Sequence, residues 1–245
     1  MPTVTDLVIA LGHADRLIAR TEYDSDPRLA HLPSIGGGLT PSIEWLASQK
    51  PDLVVSWPDN ASRSLVGKIE AVGIPVYAAR TEVVADALRT IRNLGVMLAA
   101  TAAADSLARS IAASLAATRA SVAGMKPVRA AYVLAVQPPT VSGPGTFIDE
   151  LIRIAGGDNV FGDISRPWPE VNLEEIIRRD PDVIILARES ADDPQLLLET
   201  LPGWRELRAV RAGHVHRVSP DYFNRSGPYM PQAARELARF FERAR

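Results

Sequence analysis

The chain has 245 residues, 47% hydrophobic and 23% charged, with a net charge of -2 and no cysteine. That length and composition suit one large globular domain or two smaller ones. They offer no basic surplus for nucleic acid or an anionic membrane surface, and they exclude disulfides, thiolate metal sites and cysteine nucleophiles.

In chain order, "PTVTDLVIALGHADRLIA" spaces Val4, Leu7, Val8 and Leu11 as one face of a helix, with Pro2 and Thr3 as its start. "RLIARTEY" reads as a short strand, and "SDPRLAHLPSIGGGLT" as a loop rich in breakers. "PSIEWLASQK" is a short helix stopped by Pro51, and "DLVVSW" is a strand with the continuous apolar core of a parallel strand covered on both faces. "NASRSLVGKIEAVG" and "IPVYAA" repeat the helix-strand step. Such alternation is the mark of a parallel α/β sheet.

From about Glu82 to Gly124 the chain holds no proline and is rich in alanine, leucine and arginine, which favours one long helix with a break near Gly95 or Thr101. Alternation then resumes. "VRAAYVLAV" is a strand, "FIDELIRIAGG" a helix ended by Gly156 and Gly157, "LEEIIRRD" a short helix, "DVIILA" and "HVHRVS" strands, and "PYMPQAARELARFFERA" a closing amphipathic helix. The expected organisation is an N-terminal α/β lobe over 1–81, a linking helix over 82–126, and a C-terminal α/β lobe over 127–245.

Two stretches repeat. "PSIEWLASQKPDLVV" begins at Pro41 and "NLEEIIRRDPDVII" at Asn172, with Glu44 and Glu174 in matching places. An acid in a first helical turn is favoured by the helix dipole, worth roughly 0.3–1 kcal/mol. That accounts for Glu44 and Glu174 as well as a docking role does. No Ser-His-Asp frame or HExxH motif is present, and the acids and bases show no catalytic spacing, so an enzyme is not expected.

"TEYDSDP", "LPSIGGG" followed by "SIEWLASQKPDLVVSW", "PPTVSGPGTFIDELIRIAGGDNVF", "SRPWPEVNLEEIIRRDPDVII" and "SPDYFNRSGP" occur in that order. As an ordered set covering essentially the whole chain, they resemble the substrate-binding proteins of ABC importers for vitamin B12, haem and iron-siderophores. "RPWPEVNLEEI" and "DYFNR" are most similar to the cobalamin-binding branch. The resemblance implies two Rossmann-like α/β lobes with mainly parallel sheets, joined by one long backbone helix, with the ligand in a cleft between them. It implies a monomer that takes cobalamin or a related corrinoid as transported ligand rather than as catalytic cofactor, with a haem or ferric siderophore as the alternative. A cytoplasmic corrinoid-binding protein or an α/β enzyme is the more distant reading. The implied partner is an ABC permease dimer with its ATPase subunits, and the implied location is the periplasm or an exported, membrane-associated state. Family members carry a strand ahead of the helix that begins here at Pro2, so such a strand and an export signal are expected upstream.

The resemblance also assigns residues. Tyr23, Trp57 and Trp168 match aromatic positions lining the cobalamin site. Aromatics at strand ends are ordinarily core or rim packing, but matched loops in both halves favour the cleft for Trp57 and Trp168. Asp221 and Arg225 match a pair that reaches the amide-rich face of the ligand, where an arginine fork and a carboxylate hold amides at fixed geometry. Gly36 and Gly37 lie in a turn that lets the backbone pass close to a ligand. Thr140 or Val141 stands where the family segment often carries an aromatic. Glu44 and Glu174 fall where one surface glutamate on each lobe docks to permease arginines. Of the four histidines, His31 lies in the loop after Tyr23 and could approach a metal, while His214 and His216 share a face of a strand and read as structural. No residue is assigned to a metal.

Overall fold

A computed structural model describes residues 1–37, 41–58, 62–188 and 193–245. Asn60, Ala61 and Gly38, which fall within the predicted helix and glycine turn, lie outside the described residues. The chain divides into two compact units. One is Met1–Thr81 with Ala85–Arg109, and the other is Glu82–Val84 with Ser110–Arg245.

In the first unit, α1 (Pro2–Ala10) buries Val4, Leu7 and Val8 at the predicted spacing. Helix α2 (Ile43–Gln49) leads into β1 (Val54–Ser56), and α3 (Ser62–Ala71) into β2 (Val76–Ala78). The two strands pair in parallel, Val54 opposite Val76 and Ser56 opposite Ala78. Leu46, Ile69 and Ile74 close a small core against Ile43, Trp45, Val54, Leu65 and Val76.

Two strand expectations differ here. "RLIARTEY" forms no strand; it makes one parallel bridge, Arg20 with Ser34, flanked by main-chain bonds from Arg20 N to Pro33 O and Ile35 N to Arg20 O. "DLVVSW" yields only the three-residue β1, half-buried throughout rather than covered on both faces. Among the described residues the sheet of this unit is two-stranded: β1 pairs there with β2 alone, and the segment at 16–23 makes only the Arg20–Ser34 bridge.

The predicted long helix is two helices. Helix α4 (Val84–Met97) and α5 (Thr101–Ser121) are separated by a turn in which Ala99 adopts a left-handed φ of 55°. The break expected near Gly95 or Thr101 is here. A Cβ at Gly95 would lie 2.2 Å from that of Ala104, so the turn folds back on a glycine because nothing larger fits.

The second unit is built on β3 (Val128–Val136). Strand β4 (Pro139–Val141) pairs with its C-terminal half antiparallel, and β5 (Gly157–Asn159) with its N-terminal half in parallel. On the other side lie β6 (Val183–Ala187) and β7 (Val215–Val218), both parallel, giving the order β4-β3-β6-β7. Helices α6 (Phe147–Ile154), α7 (Leu173–Arg179), α8 (Pro194–Thr200), α9 (Arg208–Arg211), α10 (Pro220–Phe223) and α11 (Met230–Ala244) surround the sheet.

Every residue of β6 is buried, as its unbroken apolar run predicts. Side chains alternate across a strand. Ile184 and Leu186 therefore join Ala131, Val133, Phe161 and Ile176 in one core. Burial of each of these side chains except Ala131 contributes about 1.5–3 kcal/mol. Helix α11 buries Met230, Ala233, Ala234, Leu237 and Phe241, one stripe at helical spacing. The strands β4 and β5 were not expected: β5 begins at the glycine that reads as a helix stop, and β4 contains a proline.

Candidate functional site

In the first unit the loop at 20–23 is held against the segment at 33–36, with Glu22 N donating to Gly36 O at 3.0 Å. Gly36 has a φ of 71°, which a glycine adopts without strain. Thr21 donates both its backbone N–H (2.6 Å) and its hydroxyl (2.7 Å) to the buried Asp24 carboxylate, closing the turn that carries Tyr23. Tyr23 and Gly37 then meet Trp57, which leaves the end of β1, around one cavity of about 190 Å³. Ile35, Leu46 and Val55 also line it. Tyr23 is 60% exposed and Trp57 37%. Two half-wet aromatics over an apolar floor suit the flat face of a large ligand.

In the second unit the segment 139–143 runs beside 167–171. Val141 N donates to Pro169 O (3.1 Å), Gly143 N to Pro167 O (2.8 Å) and Val171 N to Pro139 O (2.9 Å). A Cβ at Gly143 would fall 2.2 Å from the carbonyl oxygen of Arg166, so only glycine permits this approach. Trp168 is carried on the strip so formed, between Pro167 and Pro169, and is 39% exposed.

Behind Trp168 lies the fully buried Tyr132, centroid to centroid 6.4 Å in an edge-on arrangement. Phe223 stacks on Tyr132 with centroids 6.4 Å apart and 15° between ring planes. The Tyr132 hydroxyl donates to Asn224 Oδ1 at 2.6 Å. Asp221 and Arg225 form an ion pair across the single turn of α10. Tyr132 therefore links the strip that carries Trp168 to the α10 turn that carries Asp221 and precedes Arg225. "VRAAYVLAV" reads only as a strand, and the link missed there had one signal: a tyrosine in a buried strand needs a partner for its hydroxyl.

Glu44 and Glu174 occupy the same place in the same local structure. Helices α2 and α7 each have seven residues. Ser42 Oγ caps α2 by accepting from Trp45 N, and Asn172 Oδ1 caps α7 by accepting from Glu175 N. Each helix ends in a left-handed residue, Lys50 and Asp180, before its strand. Glu44 and Glu174 are both the second helical residue and both exposed. A bond from its own backbone N–H, and then the Ser42 hydroxyl, hold the Glu44 carboxyl below the ordinary range. By contrast Glu175 is tied down by Arg178 and Arg179, whose hydrogen bonds pull it to about 2.

His216 stacks on Phe240 with centroids 4.0 Å apart and 4° between planes. Burial, then His214 and Arg243, push it down to about 4, so it is neutral and packed. Among the described residues no group of three His, Asp or Glu is placed to hold a metal.

A periplasmic binding protein family model matches residues 1–222. The chain belongs to the periplasmic binding protein family. The vitamin B12-binding protein of Vibrio parahaemolyticus serotype O3:K6 is 28% identical over 243 residues, covering 98% of this chain and 87% of that protein. The crystal structure of the periplasmic vitamin B12 binding protein BtuF of Vibrio cholerae superposes with a TM-score of 0.85 at 26% identity, over 100% of this chain and 95% of that one. The periplasmic heme-binding protein BhuT in complex with two hemes gives 0.87 at 25% identity, over 99% and 96%. The two-lobe, mainly parallel α/β fold is that of this family.

Proposed function

We propose that this protein is the substrate-binding component of an ABC importer and captures cobalamin or a related corrinoid. The likeness to vitamin B12-binding proteins along nearly the whole chain carries the reading. Tyr23, Gly36, Gly37 and Trp57 in one unit and Trp168, Asp221 and Arg225 in the other are its ligand-contacting residues. The aromatic faces take the flat macrocycle, and the arginine fork with its carboxylate takes the peripheral amides. Glu44 and Glu174 dock to basic residues on the two permease subunits: a two-fold permease offers the same basic patch twice, and the two helices offer the same acid twice. The protein works as a monomer in the periplasm and performs no catalysis.

A haem is the second reading, favoured by the equal fit of the haem-binding relative. The two differ in colour. Protein isolated from cells supplied with both cobalamin and haemin should carry the visible absorption of a corrin. A Soret band in its place would overturn the corrinoid assignment in favour of haem.

A further inference from the structure

We infer that Tyr132 is a positioning residue: through its hydroxyl and its ring it sets both halves of the ligand surface on the second unit. The inference rests on the corrinoid-binding reading above and goes beyond it, because Tyr132 is buried beneath that surface and is not among its contacts.

Four connections converge on this side chain and its backbone. The ring is flanked edge-on by Trp168 and face-on by Phe223. The hydroxyl donates to Asn224. The backbone carbonyl accepts from Ser142 N at 3.0 Å, within the strip that supports Trp168. Burial pushes the Tyr132 hydroxyl far above the ordinary tyrosine range, so it remains a proton donor at every working pH.

The hydroxyl bond is the informative one. A core tyrosine that only fills space needs a partner for its O–H, and any nearby carbonyl would serve. This one reaches an exposed asparagine 92 residues away, at the exit of α10. Helix α10 has four residues, too few to be stable by themselves. Its last turn is closed by Asn224 N to Pro220 O at 2.8 Å, and Asn224 is the residue before Arg225. Fixing the Asn224 side chain to the sheet fixes the direction in which the chain leaves the turn, and with it Arg225 and its partner Asp221. The same ring backs Trp168. One buried residue on rigid β3 thus aligns an aromatic from one loop with a charged pair from another, which is how a site gains preorganisation without a direct contact.

The test is a double-mutant cycle on cyanocobalamin affinity, measured by calorimetry. Tyr132→Phe keeps the ring between Trp168 and Phe223 and removes only the hydroxyl. It should weaken binding about fivefold, the size of one net hydrogen bond. Arg225→Ala should weaken it about tenfold or more, and the double variant should match Arg225→Ala within about twofold, because Tyr132 acts through Arg225. Asn224→Leu approaches the same bond from its exposed side and should reproduce the Tyr132→Phe loss. A purely structural role would lower melting temperature with affinity unchanged, or give losses that multiply in the double variant; either result overturns the inference while leaving corrinoid binding intact. Failure of the unaltered protein to bind cyanocobalamin would overturn the functional reading and this inference with it.

Discussion

Gly143→Ala is the sharpest perturbation of the candidate site that touches no ligand. The new Cβ would sit 2.2 Å from Arg166 O and 3.4 Å from Pro169 Cδ. Ordinary contact for that pair is near 3.4 Å, so the two segments must part by about 1.2 Å. The bonds from Gly143 N to Pro167 O and from Val141 N to Pro169 O, now 2.8 and 3.1 Å, would then exceed hydrogen-bonding distance. Each is worth about 1 kcal/mol net, and the displaced strip loses packing as well, so stability should fall by about 2–3 kcal/mol. Trp168 moves with the strip, so corrinoid affinity should drop too. Urea unfolding followed by circular dichroism measures the first effect and calorimetry the second. Gly67→Ala is the matched control: it lies at an exposed position of α3 with nothing within 4 Å of the added carbon and should stabilise by roughly 0.5–1 kcal/mol. A Gly143→Ala protein within about 0.5 kcal/mol of the original would refute the account of how the strip is held.

Changing Glu44 and Glu174 together to lysine should abolish or greatly reduce uptake in cells that depend on this protein, with ligand affinity unchanged and stability altered by a few tenths of a kcal/mol. Normal uptake by that variant would reduce both residues to helix-dipole complements. His216 titrates near 4 in the folded protein and near 6.5 unfolded, so the unfolded chain binds more protons between those values. Its contribution is complete above pH 6.5 and is lost as pH falls toward 4. With partial exposure discounted, His216→Phe should flatten about 1–2 kcal/mol of that acid-side loss in unfolding free energy, and an unchanged pH profile would contradict the assignment. Trp57→Ala and Trp168→Ala should each weaken corrinoid binding by roughly 1–3 kcal/mol, read by calorimetry, and no effect from either would remove the aromatic faces from the site.

Local chemistry was plain in the sequence where it acts over one turn or one strand. The stripe on α11 and the buried run of β6 follow from spacing and residue type. So does the matching of Glu44 with Glu174, because each opens an amphipathic stretch that leads through a Pro-Asp pair into an apolar run. Tyr23, Gly37 and Trp57 are nominated by the resemblance, and the structure places all three around one cavity. What stayed hidden depends on partners distant in the chain. The segment at 16–23 has strand composition, but a strand exists only where another lies beside it. The break between α4 and α5 falls where it is expected, and only its left-handed residue, Ala99, has no signal in the sequence, because alanine disfavours that conformation. The role inferred for Tyr132 depends on Asn224, 92 residues on, and no local pattern announces that bond.

The central claim is tested most directly by titrating the purified protein with cyanocobalamin and, separately, with haemin, each followed by calorimetry. Cyanocobalamin should bind saturably and one-to-one, more weakly when Trp57 and Trp168 are both changed to alanine. Tight binding of haemin with no heat from any corrinoid would contradict it.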